Sequence, residues 1–434
     1  MRDPLGHLEL KERTAVRSLY APLEPSHYLH SPLSQQLVGQ GMLLDFDFLG
    51  CSGIVSERLP FVSYPHEWSA PQLRDAARLT LDISRNLLES GWELKDASAW
   101  NVLFKGCAPI FCDHLSFQPI ASRHWWAFGQ YLQHFVFPLC VARYRDFPVS
   151  DSFLLSRDGL DAARFRALMG ARIFATRFWP LALGRGSAPI PEPAQTLAQR
   201  PGYHGNLYSL LDWFLAAAAR QSGGSAWIDY AANNTHYPPA AREAKRAFVN
   251  QWLNRLKPAW TADFGCNTGE YSQLALDAGA EVIALDADHR CIGQLYDTHP
   301  GQARLHPLVA NLDDLGGGRG WGGTEFNGLP ARLAAVTELA LMLALTHHLA
   351  ISLSIPYRKI AEFAAASTRK WLIVELIEEN DPLVERLCRE RKRHPAEFPL
   401  SLQRAAFLER FRLLGEQPLP GIGRHLLALE KRKT

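Results

Sequence analysis

The sequence predicts an α/β protein whose second half is built on a parallel sheet, with an α+β region in front of it. Three observations lead there. Residues 261–288 run strand, glycine turn, helix, strand and terminal acid without interruption. Apolar strand candidates then keep alternating with helical segments to the end of the chain, as in a sheet covered by helices. Between the two halves, residues 184–202 gather Gly184, Gly186, Pro189, Pro191, Pro193, Pro201 and Gly202, the best candidate linker in the chain.

At 434 residues the chain exceeds what one hydrophobic core usually serves. We therefore expect residues 1–200 to form an accessory or acceptor-binding region and residues 201–434 the sheet domain, opening with helices. Apolar residues make up 47% of the chain, which describes a folded globular protein rather than a disordered one. The formal charge of +2, from 46 basic and 44 acidic side chains, is too balanced to point to nucleic acid. Arg389, Arg391, Lys392 and Arg393 form a local basic run, read as a solvated helix face. The first dozen residues carry charges and lead into no secretory apolar core. The most apolar segment, Leu339 to Leu353, is short for a membrane span and contains His347 and His348. Seven cysteines show neither tight metal pairs nor a dense disulfide framework. Reduced thiols, no metal, no membrane and a cytoplasmic location are the resulting expectations.

Taken in order, the first element is a helix from Ala70 to Ser90, with Leu73, Ala77, Leu81 and Leu88 near one face and Gly91 ending it. Val102 to Phe104 and Pro109 to Cys112 read as strand, loop and strand. From Trp125 to Tyr144 the chain is unusually aromatic, through Trp125, Trp126, Phe128, Tyr131, Phe135, Phe137 and Tyr144. These rings suit packing between helices better than lining an acceptor pocket. Leu207 to Arg220 and Pro239 to Leu256 are helical. Between them lies the polar aromatic cluster Asp229, Tyr230, Asn233, Asn234, His236 and Tyr237.

Ala262 to Phe264 then ends a strand, Gly265 to Gly269 turns, Tyr271 to Ala278 is a helix, and Glu281 to Leu285 is a strand ending at Asp286. Glycines at 265 and 269 let a ligand approach the backbone closely. The amide end of the following helix adds positive potential. The pattern GCNTG is not the GxGxxG of dinucleotide sites. An acid at the end of the second strand can accept both hydroxyls of a ribose, and Asp286 lies 21 residues beyond Gly265, a spacing suited to a nucleoside ligand. Further along, Ala335 to Ala344 is an apolar strand candidate, Tyr357 to Ala366 a helix and Trp371 to Glu375 a strand. Phe411 to Leu414 and His425 to Glu430 can form a closing antiparallel hairpin.

DFGCNTGEYS and VIALDAD resemble the first and second motifs of the class I S-adenosylmethionine-dependent methyltransferases. The resemblance covers about half the chain and implies a Rossmann-like seven-stranded methyltransferase sheet. It implies that Asp263 holds the amino-acid end of S-adenosyl-L-methionine directly or through water. The backbone of Gly265, Cys266, Asn267 and Gly269 would pass beneath the cofactor, and Asp286 would bind the ribose. Asn311, Leu312 and Asp313 would border the adenine, with Asp313 or Asn311 taking its amino group. In such enzymes the segment before the first strand often folds across the cofactor, which makes Tyr230 and Tyr237 candidates for contact with cofactor or acceptor; a structural turn is the alternative.

Methyl transfer needs an aligned nucleophile and sometimes a base. THHLAI, residues 346–351, follows the fourth strand, where ligands of parallel sheets bind. His347 or His348 is the candidate base or acceptor-orienting group; hydrogen bonding of both to loop carbonyls is the competing reading. The segment departs from the Asn-Pro-Pro-Tyr motif of many nitrogen methyltransferases, which leaves O, other N and C acceptors open. Glu375 and Glu378, at and beyond the end of the fifth strand, are candidates for touching substrate.

A second constellation lies upstream. Asp96 and Asn101 have the D-x-x-x-x-N spacing of a kinase catalytic loop, and Asp113 follows after a hairpin-like interval, resembling protein-kinase-like and aminoglycoside phosphotransferase families. The usual histidine is replaced by Leu94, DFG by Asp113-His114-Leu115, and no glycine-rich loop precedes them. The whole arrangement resembles bacterial methyltransferases that place a DASxxN and DHLSF segment ahead of the methyltransferase domain. The expected activity is thus methyl transfer to a small-molecule or carrier-held acceptor. A phosphotransferase using Asp96, Asn101 and Asp113, or a non-catalytic cofactor-binding module, are the alternatives.

Overall fold

In the computed structural model the helix expected after residue 70 spans Ala70–Glu89. Leu73, Ala76, Ala77, Thr80, Leu81, Ser84 and Leu87 form one buried stripe along it. Ser69 and Gln72 cap its start reciprocally, and Gly91, at φ +77°, takes the chain out of it. The structure describes residues 2–3, 5–120, 125–183, 202–218 and 237–433. They fall into two units, Met1–Gly223 and Gly224–Thr434.

The first unit opens with a five-stranded antiparallel sheet. Its spatial order is Arg2–Asp3, Gly6–Leu10, Thr14–Leu19, Gly53–Glu57 and Phe46–Phe48. Past the long helix, Val102–Lys105 and Ala108–Phe111 pair as an antiparallel hairpin, where the sequence places strand, loop and strand. Helices Phe128–Tyr131, Phe137–Arg145, Val149–Leu155 and Ala162–Met169 follow. The aromatic run is core: Trp125, Tyr131, Phe135 and Phe137 are buried, and Trp126 alone stands well out into solvent.

The helix expected from Leu207 runs Tyr203–Ala218 and lies in this first unit, which ends at Gly223. Its apolar face, Leu207, Tyr208, Leu211, Phe214 and Leu215, packs toward Ala70–Glu89 and Phe137–Arg145, and Arg85 pairs with Asp212 at 3.2 Å. The linker residues 184–201 lie outside the described residues, as do Asp229, Tyr230, Asn233, Asn234 and His236.

In the second unit seven strands form one mixed sheet: β1 (Trp260–Phe264), β2 (Glu281–Asp286), β3 (Leu305–Val309), β4 (Leu339–Met342), β5 (Trp371–Ile377), β6 (Phe411–Pro418) and β7 (Arg424–Lys431). Their order is β3-β2-β1-β4-β5-β7-β6; β1 to β5 are parallel, and β7 runs antiparallel to both β5 and β6. The central strands are apolar on both faces, Val282 to Leu285 in β2 and Leu339 to Met342 in β4, as a doubly covered parallel sheet requires. Helices α1 (Pro239–Leu256), α2 (Glu270–Asp277), α3 (His289–Asp297), α4 (Leu329–Val336), α5 (Tyr357–Ser367), α6 (Pro382–Glu390) and α7 (Leu400–Arg410) complete it. This is the Rossmann-like seven-stranded sheet that the sequence predicts, antiparallel hairpin included.

The expected strand from Ala335 to Ala344 is shorter than predicted. Residues up to Val336 belong to α4, which starts with Pro330 in its first turn, and the strand begins only at Leu339. Among the described residues no helix is long and apolar enough to cross a membrane.

Candidate functional site

The order of the sheet reverses between β1 and β4, and the carboxyl ends of those strands are where a parallel sheet presents a ligand site. β1 leads into Gly265 (φ +72°), Asn267 (φ +51°) and Gly269 (φ +89°) before α2. A Cβ at 269 would stand 2.5 Å from Leu295 Cδ1, and one at 265 would stand 3.3 Å from Leu345 Cδ1. Glycine is required at 269 by space and φ together. The amides of Gly265 and Cys266 both donate to the Leu285 carbonyl, at 2.8 and 3.0 Å, which ties the turn to the end of β2.

Asp286 closes that tie. Its Oδ2 accepts from the Asn267 amide and its Oδ1 from the Asp288 amide, each at 2.8 Å. The Ala287 amide adds a third backbone contact, which leaves part of the carboxylate's roughly four lone-pair directions for a ligand hydroxyl. The group is half-buried; burial raises its pKa, and the amides of Asp288, Asn267 and Ala287 act against that rise.

Asp263 lies inside, 2% exposed, with Ser272 Oγ donating to its Oδ2 at 2.7 Å. Burial lifts its pKa to about 6, the Ser272 hydrogen bond opposing. Cys266 is buried too, its thiol pushed far up by burial and by Asp286. It forms wall, not nucleophile. After β3 the Ala310 amide donates to the Asp286 carbonyl at 2.9 Å. Asn311 and Asp313 then follow as exposed residues with Leu312 partly covered between them. Hydrogen bonds thus bring Gly265, Cys266, Asn267, Gly269 and Asp286 into one construction, with the Asn311–Asp313 segment leaving from its edge.

Beyond β4 the chain turns at Ala344 (φ +52°) into the two histidines. His347 is 1% exposed, and neither ring nitrogen has a hydrogen-bond partner among the described residues. The carbonyl bonds that the competing reading foresees are therefore not made by His347. Its ring packs on that of His348 at 4.2 Å between centroids. Burial, then the neighbouring His348, holds His347 well below the usual histidine range; burial and Arg386 bring His348 down to about 4. Both rings are neutral at pH 7, and His348 is the less covered of the two.

Glu375 sits within β5, fully buried. Lys245 Nζ lies 2.6 Å from its Oε2, Arg424 Nη1 3.2 Å from its Oε1, and Tyr237 donates its hydroxyl proton to Oε1. The Arg424 guanidinium also donates to Asp381, at 2.9 Å, and to the Tyr237 hydroxyl. Burial works to raise the pKa of Glu375, but Lys245 and Arg424 prevail and hold it below the ordinary value. Tyr237 and Glu375, two expected substrate contacts, are thus placed in a closed protein network. Glu378 lies farther out, paired with His425 at 2.8 Å.

Sequence reasoning missed Lys245, Arg424 and Asp381. A signal was present for the first: Lys245 falls on the apolar face of α1 with Ala241, Phe248, Val249 and Trp252, where a solvated lysine has no place.

In the first unit, Asp96 Oδ1 accepts from the Ser98 amide at 2.9 Å, and the Asn101 side chain donates to the Asp96 carbonyl at 3.4 Å. Ser116 joins the two loops, its hydroxyl donating to the Asp96 carbonyl and its amide to the Asp113 carbonyl. Asp113 pairs with Arg17 at 3.3 Å. The hairpin therefore brings the three residues to neighbouring loops, with polar contacts among themselves and to Arg17. Among the described residues no group of three or more His, Cys, Asp or Glu is arranged to hold a metal ion.

No family model matches this chain. Nodulation protein NoeA of Rhizobium meliloti (strain 1021) is 28% identical over 455 residues, spanning 99% of this chain and 95% of that protein. Similar solved structures include magnesium protoporphyrin IX methyltransferase (ChlM) of Synechocystis PCC 6803 with bound S-adenosylhomocysteine. It is 12% identical, the match covering 62% of this chain and 99% of that one, with a TM-score of 0.33. N-methyltransferase NodS of Bradyrhizobium japonicum WM9 is 9% identical over 45% of this chain and 99% of that one, TM-score 0.33. The bifunctional kinase-methyltransferase WbdD is 16% identical over 46% of this chain, TM-score 0.31, and the match spans only 41% of its length. With every TM-score below 0.5, the reading of the site rests on its own geometry.

Proposed function

We propose that the second unit binds S-adenosyl-L-methionine at the carboxyl ends of β1 and β2 and that the protein transfers its methyl group to an O, N or C atom of a small-molecule or carrier-held acceptor. The observation behind this reading is Asp286: a half-buried carboxylate at a strand end, braced by backbone amides on both of its oxygens and tied to the glycine turn. As an acceptor it fits the hydroxyls of a ribose.

S-adenosyl-L-methionine, when bound, supplies an electrophilic methyl group. The chain's part is binding and alignment. Asp286 takes the ribose, the Gly265–Gly269 backbone leaves room for the amino-acid portion, Asp263 presents its charge from below the turn, and Asn311, Leu312 and Asp313 border the base. His348 is the better placed of the two histidines to meet an acceptor. A ring whose pKa is about 4 orients an acceptor proton more effectively than it removes one, since removal works best with a base near the working pH. His347 backs it.

Calorimetric titration of the purified chain with S-adenosylmethionine and S-adenosylhomocysteine tests the reading, with Asp286→Ala as the site control and ATP plus magnesium in a parallel cell. Saturable binding weakened by the substitution supports it. Absence of binding, with ATP bound instead, would move the activity to Asp96, Asn101 and Asp113.

A further inference from the structure

Among the described residues the Glu375 side chain has four partners: Lys245, Tyr237, Arg424 and the Ala344 amide, which donates to Oε2 at 3.1 Å. The charges close on themselves. Lys245 and Arg424 balance Glu375 and Asp381, and each of the four is less than 5% exposed. Such a set has no charge to spare for an ionic ligand, so its role is to be sought in what it holds.

It holds Ala344. That residue takes a left-handed conformation although it is not glycine, directly after β4. A residue with a Cβ stays there only when its surroundings impose it. The Glu375 carboxylate fixes its amide, and the Glu375 carbonyl accepts from Thr346 Oγ1 at 3.2 Å. Between those two anchors lies Leu345, the side chain that closes on Gly265 in the cofactor turn. On the opposite side of the network, the Tyr237 hydroxyl bridges Glu375 and Arg424. Lys245 lies 5.0 Å from the ring centres of both Tyr237 and Tyr271, the latter in the first turn of α2.

We propose that Glu375, supported by Lys245 and Tyr237, is a positioning residue that sets the loop after β4 against the glycine turn and so couples the Tyr237 hydroxyl to the shape of the cofactor site. This rests on the reading of the turn as a cofactor site. Glu375 acts through Ala344 and Leu345 and touches neither substrate nor cofactor.

Two charge-balanced double variants separate positioning from plain charge burial. Lys245→Met with Glu375→Leu removes the ion pair and the acceptor of the Ala344 amide; Lys245→Met with Glu375→Gln removes the pair but keeps an acceptor oxygen. Amide hydrogen exchange at Ala344, Leu345 and Thr346 and affinity for S-adenosylhomocysteine are measured on the full chain. The Leu variant is expected to speed exchange at Ala344 and to weaken binding, each by about tenfold, while the Gln variant stays within about threefold of wild type. Equal behaviour of the two, with Ala340 and Leu341 still protected, overturns the proposal. If the Leu variant does not fold, Tyr237→Phe decides: exchange at Ala344 must quicken by about threefold, the loss of one hydroxyl contact, and no change overturns the proposal. A wild-type chain that binds no S-adenosylhomocysteine refutes the cofactor reading and the coupling to it, while the exchange arm still decides whether Glu375 holds Ala344.

Discussion

Gly269→Ala would place a Cβ 2.5 Å from Leu295 Cδ1 and hold an alanine at φ +89°. The backbone term is about 1–2 kcal/mol. Leu295 is fully buried, so overpacking adds about 1–3 kcal/mol. The expected loss is about 2–5 kcal/mol from both terms. Gly279 provides the control. It has φ +94° with nothing within 4 Å of where a methyl would stand, so Gly279→Ala should cost the backbone term alone. Leu295→Ala removes the obstructing atom, so introducing Gly269→Ala into that background should cost about 1–2 kcal/mol, leaving a coupling of about 1–3 kcal/mol between the sites. Urea denaturation of the four combinations, with S-adenosylhomocysteine titration alongside, measures it. A Gly269→Ala cost that is the same in both backgrounds and equal to that of Gly279→Ala would refute the steric account of the turn.

Asp286→Ala frees the amides of Asn267 and Asp288 and removes the diol acceptor, so S-adenosylmethionine affinity should fall at least about tenfold by calorimetry, one charge-assisted hydrogen bond's worth; wild-type affinity in the variant rules out the ribose assignment. Asp263, lifted to about 6 by burial, holds its proton more tightly folded than unfolded. Its stabilising effect is therefore full below about pH 4 and lost as pH rises through about 6, a change on the order of 3 kcal/mol. Asp263→Asn should flatten thermal stability across that window, and an unchanged slope would exclude Asp263 as its source. Thr261 Oγ1 is buried in β1 with no hydrogen-bond partner among the described residues, so Thr261→Val should leave the chain as stable or raise stability by up to about 1 kcal/mol in urea; a clear loss would mean that the hydroxyl has a bound partner.

The stretch from β1 to β3 was legible because its signals are local. A glycine turn, a helix and an acid-terminated strand follow one another within 26 residues of Thr261, and hydrogen bonding then joins parts already adjacent in sequence. The boundary at α4 and β4 was not, since LPARLAAVTELALML is mostly apolar, interrupted only at Arg332, Thr337 and Glu338, and periodicity cannot separate a buried helix from a buried strand. The Glu375 network was the least legible. Its cations are a lysine on one helix and an arginine on the last strand, 179 positions apart, and only the folded sheet brings them to a common carboxylate. His347 was found from its place after β4, but nothing local announces that its nitrogens go unpartnered.

Cys266 gives the glycine turn a chemical voice. Its sulfur is sealed in the turn and held protonated, whereas Cys51, in the other unit, is exposed. An alkylating reagent supplied in excess therefore consumes Cys51 at its own pace and reaches Cys266 only in the moments when the turn opens. The ratio of the two labels, read by mass spectrometry, is an internal clock for that opening, and any molecule that closes over the turn will slow one hand and leave the other running.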